Sequence, residues 1–94
     1  MQRVKQVETI TGNGRVRLTD RTAAVNYVIR VFQEFDDEVP LLKNAKGRLN
    51  LPHGDVAHAM MDRDPIQLLL QDGRAAKILF IDLDGNFQVT GPIA

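Results

Sequence analysis

The segment from Leu70 to Leu83 constrains the fold more than any other part of the chain, because it reads as two β-strands joined by a tight turn. Asp72-Gly73 is a turn signal typical of antiparallel hairpins, and a run rich in β-branched and aromatic residues follows it. A weaker copy of this pattern lies earlier, at Leu18–Val31. The sequence therefore predicts a mainly β fold, a small barrel or tight sandwich of antiparallel hairpins with an internal pseudo-repeat and one short α-helix.

The size and composition of the chain are those of one small globular domain. Its 94 residues can bury one modest core, so we expect a single β domain over residues 1–94. Cysteine is absent, which removes disulfides and thiolate metal sites and favours a cytoplasmic location. No apolar run is long enough for a membrane span, so we expect no membrane partner.

Alternation and turn residues place the first strands. Period-two alternation predicts a strand with one core face, formed by Val25, Tyr27, Ile29 and Val31. Gly12-Asn13-Gly14 is predicted to be a turn, because glycine and asparagine tolerate positive φ. Residues 34–38 carry four carboxylates and are predicted to form an acidic loop.

A short helix is predicted over Val56–Met61, as a plug over one open end of the barrel. Asp55 is the expected N-cap, and Pro65 ends the helix because it keeps the preceding residue out of the helical region. One apolar face is expected to hold Val56, Ala59 and Met60.

Three further strands, 66–71, 74–82 and 87–91, are predicted to form an antiparallel meander. A two-residue turn at Asp72-Gly73 and a three-residue loop ending at Gly85 would align one apolar face, formed by Ile66, Leu68, Leu70, Leu79, Ile81, Phe87 and Val89. Large apolar residues would then remain on the other face of the two hairpins.

Those remaining residues predict an interaction surface, formed by Val28, Phe32, Leu69, Ile78 and Phe80. The leading hypothesis is a non-catalytic binding or assembly module that forms a homo-oligomer or binds another protein through this surface. No enzyme is expected, because serine and cysteine are both absent and no carboxylates are paired for acid–base chemistry.

Outward arginines suggest an alternative function. Arg15, Arg17 and Arg48 project from two similar strands and are candidate anion contacts, for a small barrel that binds an anionic ligand or single-stranded nucleic acid. Twelve basic residues balance twelve acidic ones, so the composition argues against a nucleic-acid partner.

The pentapeptide Arg17-Leu-Thr-Asp-Arg21 resembles the Arg-x-x-x-Arg motif that opens the dinucleotide-binding PilZ β-barrels. The resemblance is confined to these five residues. The second element of the family is missing, since Asn44-Ala-Lys-Gly47 has the wrong interval. The chain is therefore not assigned to this family.

The two histidines are candidate metal ligands. His53 and His58 occur with Asp55 and Asp62 around the predicted helix, and such side chains can bind a divalent metal. No recognised zinc spacing is present, so a solvated polar helix face is the preferred interpretation. We expect neither a metal nor another cofactor.

Overall fold

The fold is a closed barrel of six antiparallel strands with one short helix. The computed structural model describes residues 2–61 and 64–94. The elements are β1 (Gln2–Arg17), β2 (Thr22–Asp36), β3 (Val39–Leu49), α1 (His53–Met61), β4 (Ile66–Leu69), β5 (Ala75–Phe80) and β6 (Asn86–Thr90). Around the barrel the strand order is β1-β2-β3-β6-β5-β4, and β4 closes it against β1. The prediction of a mainly β fold with one short helix is confirmed, as a barrel.

Alternation along β2 defines the inside of the barrel. As predicted, this strand buries Val25, Tyr27, Ile29 and Val31. The most deeply buried large side chains of the core come from every element except β3: Val16, Ile29, Val56, Leu68, Ile78 and Phe87. Each such side chain contributes about 1.5–3 kcal/mol to folding through burial. Residues at alternate positions on the same strands consequently face solvent.

The predicted turn at Gly12-Asn13-Gly14 is wrong, because β1 runs through these residues without interruption. Both glycines face the barrel interior. A Cβ at Gly14 would collide with the carbonyl oxygen of Leu69, and one at Gly12 would lie 2.8 Å from the Tyr27 hydroxyl oxygen. Glycine is needed here because neighbouring groups approach the backbone closely, not because the chain reverses.

The first three strands extend well beyond the barrel. β1 pairs with β4 only at Arg15 and Val16, and β3 pairs with β6 only from Lys46 to Arg48. Beyond the buried pair of Val31 and Ala45, residues 2–7, 32–36 and 39–44 form a three-stranded extension that we call the arm. The molecule is therefore elongated, with extents of 46 × 26 × 19 Å.

The arm ends in a tight hairpin, where an acidic loop was expected. Asp36 pairs with Val39, so the connection has only two residues. Those residues, Asp37 and Glu38, have positive φ values of 47° and 70°. Positive φ at both central positions matches the right-handed twist of the flanking strands, which favours this turn in hairpins.

Helix α1 covers the barrel end at which β3 stops and β4 begins, and it buries Val56 and Ala59. Two details of the prediction are wrong. Asp55 is not the N-cap: the Pro52 carbonyl accepts from the backbone N–H groups of Asp55 and Val56, both at 3.0 Å. Met60 remains exposed rather than packing with Val56 and Ala59.

The meander of β4, β5 and β6 is confirmed, but its first turn is one residue longer than predicted. The Leu70 N–H donates to the Arg74 carbonyl oxygen at 2.8 Å, which leaves a three-residue loop that ends at Gly73 with φ 92°. A bulged loop of this length pairs Ile66 with Ile78. Every residue of β5 therefore faces the side opposite to the prediction.

The second turn is also longer, since the Ile81 N–H donates to the Asn86 carbonyl oxygen at 2.8 Å. Four residues, 82–85, form this loop, and Phe80 pairs with Phe87. Ile78 and Phe80 consequently turn inward, whereas Leu79 and Ile81 are exposed. Aligning Leu18–Val31 with Leu70–Leu83 would equate Tyr27 with Leu79. These two residues face opposite sides of their strands' sheet, because Tyr27 is buried while Leu79 is exposed.

Because β3 lies very close to β2 at Gly47, a single methyl group added there should destabilise the protein. In Gly47→Ala, the new Cβ would collide with the carbonyl oxygen of Val28 and lie 2.8 Å from the Phe87 ring. We expect the free energy of unfolding to fall by about 1–3 kcal/mol, the usual cost of overpacking. Urea denaturation followed by circular dichroism measures it.

The matched control is Gly54→Ala in α1, where no atom lies within 4 Å of the added Cβ. This change should stabilise the protein by about 0.5–1 kcal/mol, because alanine is the better helix former. Equal effects of the two substitutions would contradict the close packing inferred at Gly47.

Candidate functional site

The three arginines proposed from the sequence lie on one continuous surface. Arg15 and Arg17 are exposed on β1, and Arg48 is exposed on β3. On the intervening strand they are level with Ala24, Thr22 and Val28, which belong to the solvent-facing positions of β2. Paired residues of an antiparallel sheet project from the same face. All three side chains therefore occupy the outer face of β1, β2 and β3.

Two further cations on this face were not proposed from the sequence. Arg30 of β2 and Lys46 of β3 are exposed and directly opposite each other. The signal was present, since Arg30 alternates with the buried residues of β2. We call Arg15, Arg17, Arg30, Lys46 and Arg48 together the basic face. Within residues 2–61 and 64–94, none of these five cations forms an ion pair.

An aromatic ring lies among these cations. Phe32 is half-buried on the outer side of β2, and the Lys46 ammonium is 5.5 Å from its ring centroid. Val28, also half-buried, is on the same side of β2 and opposite Arg48. Two residues of the predicted interaction surface, Val28 and Phe32, thus lie beside cations of the basic face.

Carboxylates on this side of the sheet are confined to its ends. Glu34 and Asp36 lie beyond Phe32, toward the tip of the arm. At the other end the Arg48 Nε donates to the Asp84 backbone carbonyl at 3.4 Å, close to the Asp82 carboxylate. The central part of the basic face therefore carries positive charge only.

The loop beside Arg48 is held by the carboxylate of Asp82. Its two oxygens accept from the Asn86 side-chain amide at 2.8 Å and from the backbone N–H groups of Asp84 and Asn86 at 2.9 and 3.3 Å. These hydrogen bonds, that from the Asn86 side chain above all, lower the pKa of Asp82, and the Arg48 charge adds to the effect.

Elsewhere, two ion pairs on the surface favour the charged forms of Asp72 and Arg21. Hydrogen bonds from the backbone and then the side chain of Arg74 lower the pKa of Asp72. The hydrogen bond to Asp55, with an Arg21 Nη–Asp55 Oδ2 distance of 2.6 Å, raises the pKa of Arg21. Arg21 thus fastens the β1–β2 turn to α1, while Arg17, its neighbour in the PilZ-like pentapeptide, points outward.

The predicted interaction surface is not one surface. Ile78 is completely buried in the barrel core, and Phe80 is half-buried and packs against that core. Their assignment to an outer face is wrong, because each Asp-Gly loop holds one more residue than expected. Leu69 does lie outside on β4, half-buried, whereas Val28 and Phe32 are on β2. In the observed register, the exposed apolar residues of β5 and of the loop that follows it are Leu79, Ile81 and Leu83.

The histidines occupy separate positions on α1. His53, in the first turn, has its Nε2 atom 3.4 Å from Asp84 Oδ1, and His58 is exposed in the last turn. Asp62, the fourth residue of the proposed metal set, lies outside the described residues. Among those that are described, no three histidine, cysteine or carboxylate side chains cluster as metal ligands would. In the same part of the chain, no helix has the length and hydropathy of a membrane span.

Comparisons with protein-family models, with curated proteins and with solved structures find no match to this chain. The barrel and its surfaces therefore provide the basis for a functional proposal.

The pKa of Asp82 leads to a prediction about acid stability. Because the folded-state pKa lies below the unfolded value of about 4, the stabilisation is present above that pH and is lost as the pH falls through the folded-state pKa. Asp82→Ala should therefore lower the urea midpoint at neutral pH, and the difference from the wild type should shrink in acid. The control Asp64→Ala, on the exposed bend before β4, should change little. A pH-independent effect of Asp82→Ala would contradict the electrostatic explanation.

Proposed function

We propose that the protein is a non-catalytic binding module that holds single-stranded nucleic acid on its basic face. The observation that supports this proposal best is the set of five exposed cations on one face, none of which forms an ion pair within the described residues. Arg48 lies near a carboxylate, that of Asp82 at the edge of the face. Phosphate groups along a nucleic-acid strand would supply the missing counter-charges, and the release of condensed counterions would favour binding.

The pair of Arg30 and Lys46 is the strongest electrostatic argument. Like charges directly opposite each other on neighbouring strands destabilise a sheet. Lys46 lies over the Phe32 ring instead of a carboxylate, so the repulsion is not cancelled by an anion of the described structure. A bound phosphate between these two side chains would remove it.

The extent of the basic face favours an extended anion over a compact one. Arg17 is level with Thr22 and Lys46 is level with Arg30, eight residues further along β2. At the rise of a β-strand this separation is about 26 Å. A single small anion cannot contact cations so far apart, whereas a chain of phosphates can.

Phe32 gives a reason to choose a single strand. A ring at the arm-side end of the basic face, beside Lys46, can stack with an unpaired base, and every base offers a flat π-surface for it. Bases paired within a duplex are not accessible in this way. The aromatic ring and the flanking cations together form the kind of surface that small barrels use to bind single strands.

The balanced composition argued against this partner, but the charges are not evenly distributed over the molecule. Acidic residues are concentrated in turns and at the arm tip, whereas the outer face of three adjacent strands collects the cations. Salt screens electrostatic interactions over short distances. A phosphate near the surface is therefore attracted by the local field of the basic face rather than by the net charge of the protein.

A triple substitution tests the proposal. In Arg15→Gln, Arg30→Gln and Lys46→Gln combined, three phosphate contacts would be lost. We expect a weaker affinity for an oligothymidylate of about 16 nucleotides and a salt slope smaller by about 2, from about 0.7 per phosphate contact. Fluorescence anisotropy over a series of salt concentrations measures both quantities.

The matched control removes the same number of cations from the inner side of the arm, as Arg3→Gln, Lys5→Gln and Lys43→Gln. It should retain the wild-type slope. Phe32→Ala should weaken binding about tenfold without changing the slope, because it removes stacking and not charge. Absence of binding at low salt, or equal losses in both triple variants, would contradict the proposal.

Self-association is a second candidate function, and the exposed residues Leu79, Ile81 and Leu83 favour it. They lie outside the barrel on β5 and in the following loop, and Ile81 is 60 % exposed. A second copy of the chain could cover these side chains and remove their apolar surface from water.

Light scattering coupled to size exclusion tests self-association. If the protein is a dimer through this surface, Ile81→Lys should convert it into a monomer, because a charge would be buried at the interface. Val39→Lys is the matched control, since Val39 is 58 % exposed but lies on the arm. A monomeric wild type at high concentration would rule out this candidate.

A further inference from the structure

A second surface with ligand-binding features is a cleft on the inner side of the arm. It lies at the barrel mouth opposite α1, between the arm and the chain segment that follows β6, and its volume is about 500 Å³. Small-molecule sites usually have volumes of about 300–1,000 Å³. The cleft is on the opposite side of the sheet from the basic face, so it is independent of the function proposed above.

The floor of the cleft is apolar. Val31, Ala45 and Val89 form part of it and remain 9, 7 and 8 % exposed, whereas core residues deeper in the barrel are completely buried. Ile10 and Ile93 add two half-buried side chains, and both pack against the core. An apolar group of a ligand placed here would cover surface that the barrel itself leaves in contact with water.

Two opposite charges at the rim are not neutralised by the protein. Glu8 on β1 and Lys43 on β3 both line the cleft, with β2 between them. Over the described ranges, neither side chain forms an ion pair. Arg74, the third charged residue of the lining, already has an ion pair with Asp72, at 2.7 Å.

We propose that this cleft binds a zwitterion with an apolar side chain, such as a free apolar amino acid. Its carboxylate contacts Lys43, its ammonium group contacts Glu8, and its side chain lies on the floor formed by Val31 and Val89. This ligand class matches both unpaired charges, whereas an anion would be repelled by Glu8 and a cation by Lys43. The apolar floor selects against polar amino acids.

Three ligands separate the contribution of each charge. Phenylalanine is the zwitterion, phenylalanine amide lacks the carboxylate, and phenylpropionate lacks the ammonium group. Methyl chemical shifts of Val31, Val89 and Ile93, followed by nuclear magnetic resonance during titration, give both the place of binding and the affinity. We expect phenylalanine to bind about fivefold more tightly than either analogue, the size of one exposed ion pair.

Single substitutions assign the charges to residues. Lys43→Gln should remove the preference for phenylalanine over its amide, and Glu8→Gln should remove the preference over phenylpropionate. Lys46→Gln is the matched control, because it changes the same charge on the same strand but on the outer face, and it should leave all three affinities unchanged.

Several results would overturn the proposal: equal affinities of the wild type for the three ligands, shifts confined to methyl groups outside the cleft, no binding at millimolar concentration, or an equal effect of Lys46→Gln. Each of these leaves the nucleic-acid proposal untouched, since that proposal is measured with a different ligand on the other face.

Discussion

Close approach of strand backbones at glycine is the constraint on which the barrel depends. β1 joins β4 through only two paired residues, and Gly14 lies against the Leu69 carbonyl at that seam. At Gly47 the β3 backbone similarly approaches the carbonyl of Val28. A side chain at either position would hold the neighbouring group away, and the sheet could not curve enough to close around its core. Closure in turn places the cations of the first three strands outside and the apolar rows inside.

Side-chain alternation could be predicted from the sequence, whereas loop length could not. The period of β2 identified its buried face correctly, and the meander and the C-terminal end of the helix were placed correctly, although α1 begins at His53, three residues before the predicted start. One additional residue in each Asp-Gly loop then moved Ile78 into the core and Leu79 out of it. An Asp-Gly pair is compatible with two-residue turns and with bulged longer loops, and the choice between them depends on packing across the whole barrel. For this reason Ile78 and Phe80 do not belong to the outer face to which the sequence assigned them.

The basic face illustrates a different limit of sequence reasoning. Arg15, Arg17 and Arg48 could be proposed because they alternate with apolar residues in short strands. Arg30 and Lys46 become part of the same surface only when β2 and β3 are aligned, since these residues are distant in sequence and adjacent in space. Cleft residues such as Glu8 and Lys43 were not identifiable either, because no local pattern shows that the arm and the segment after β6 enclose a space.

A bulge in β1 separates the register of the arm from the register of the barrel. Pairing with β2 shifts between Gln6 and Glu8, so one extra residue is accommodated at the base of the arm. This bulge exchanges the two sides of the strand beyond it and brings Arg3 to within 5.7 Å of the Phe35 ring centroid. The barrel register is set separately, by the residues around Gly14. A change in the length of the arm would therefore alter its reach without changing which residues β1 presents to the barrel core.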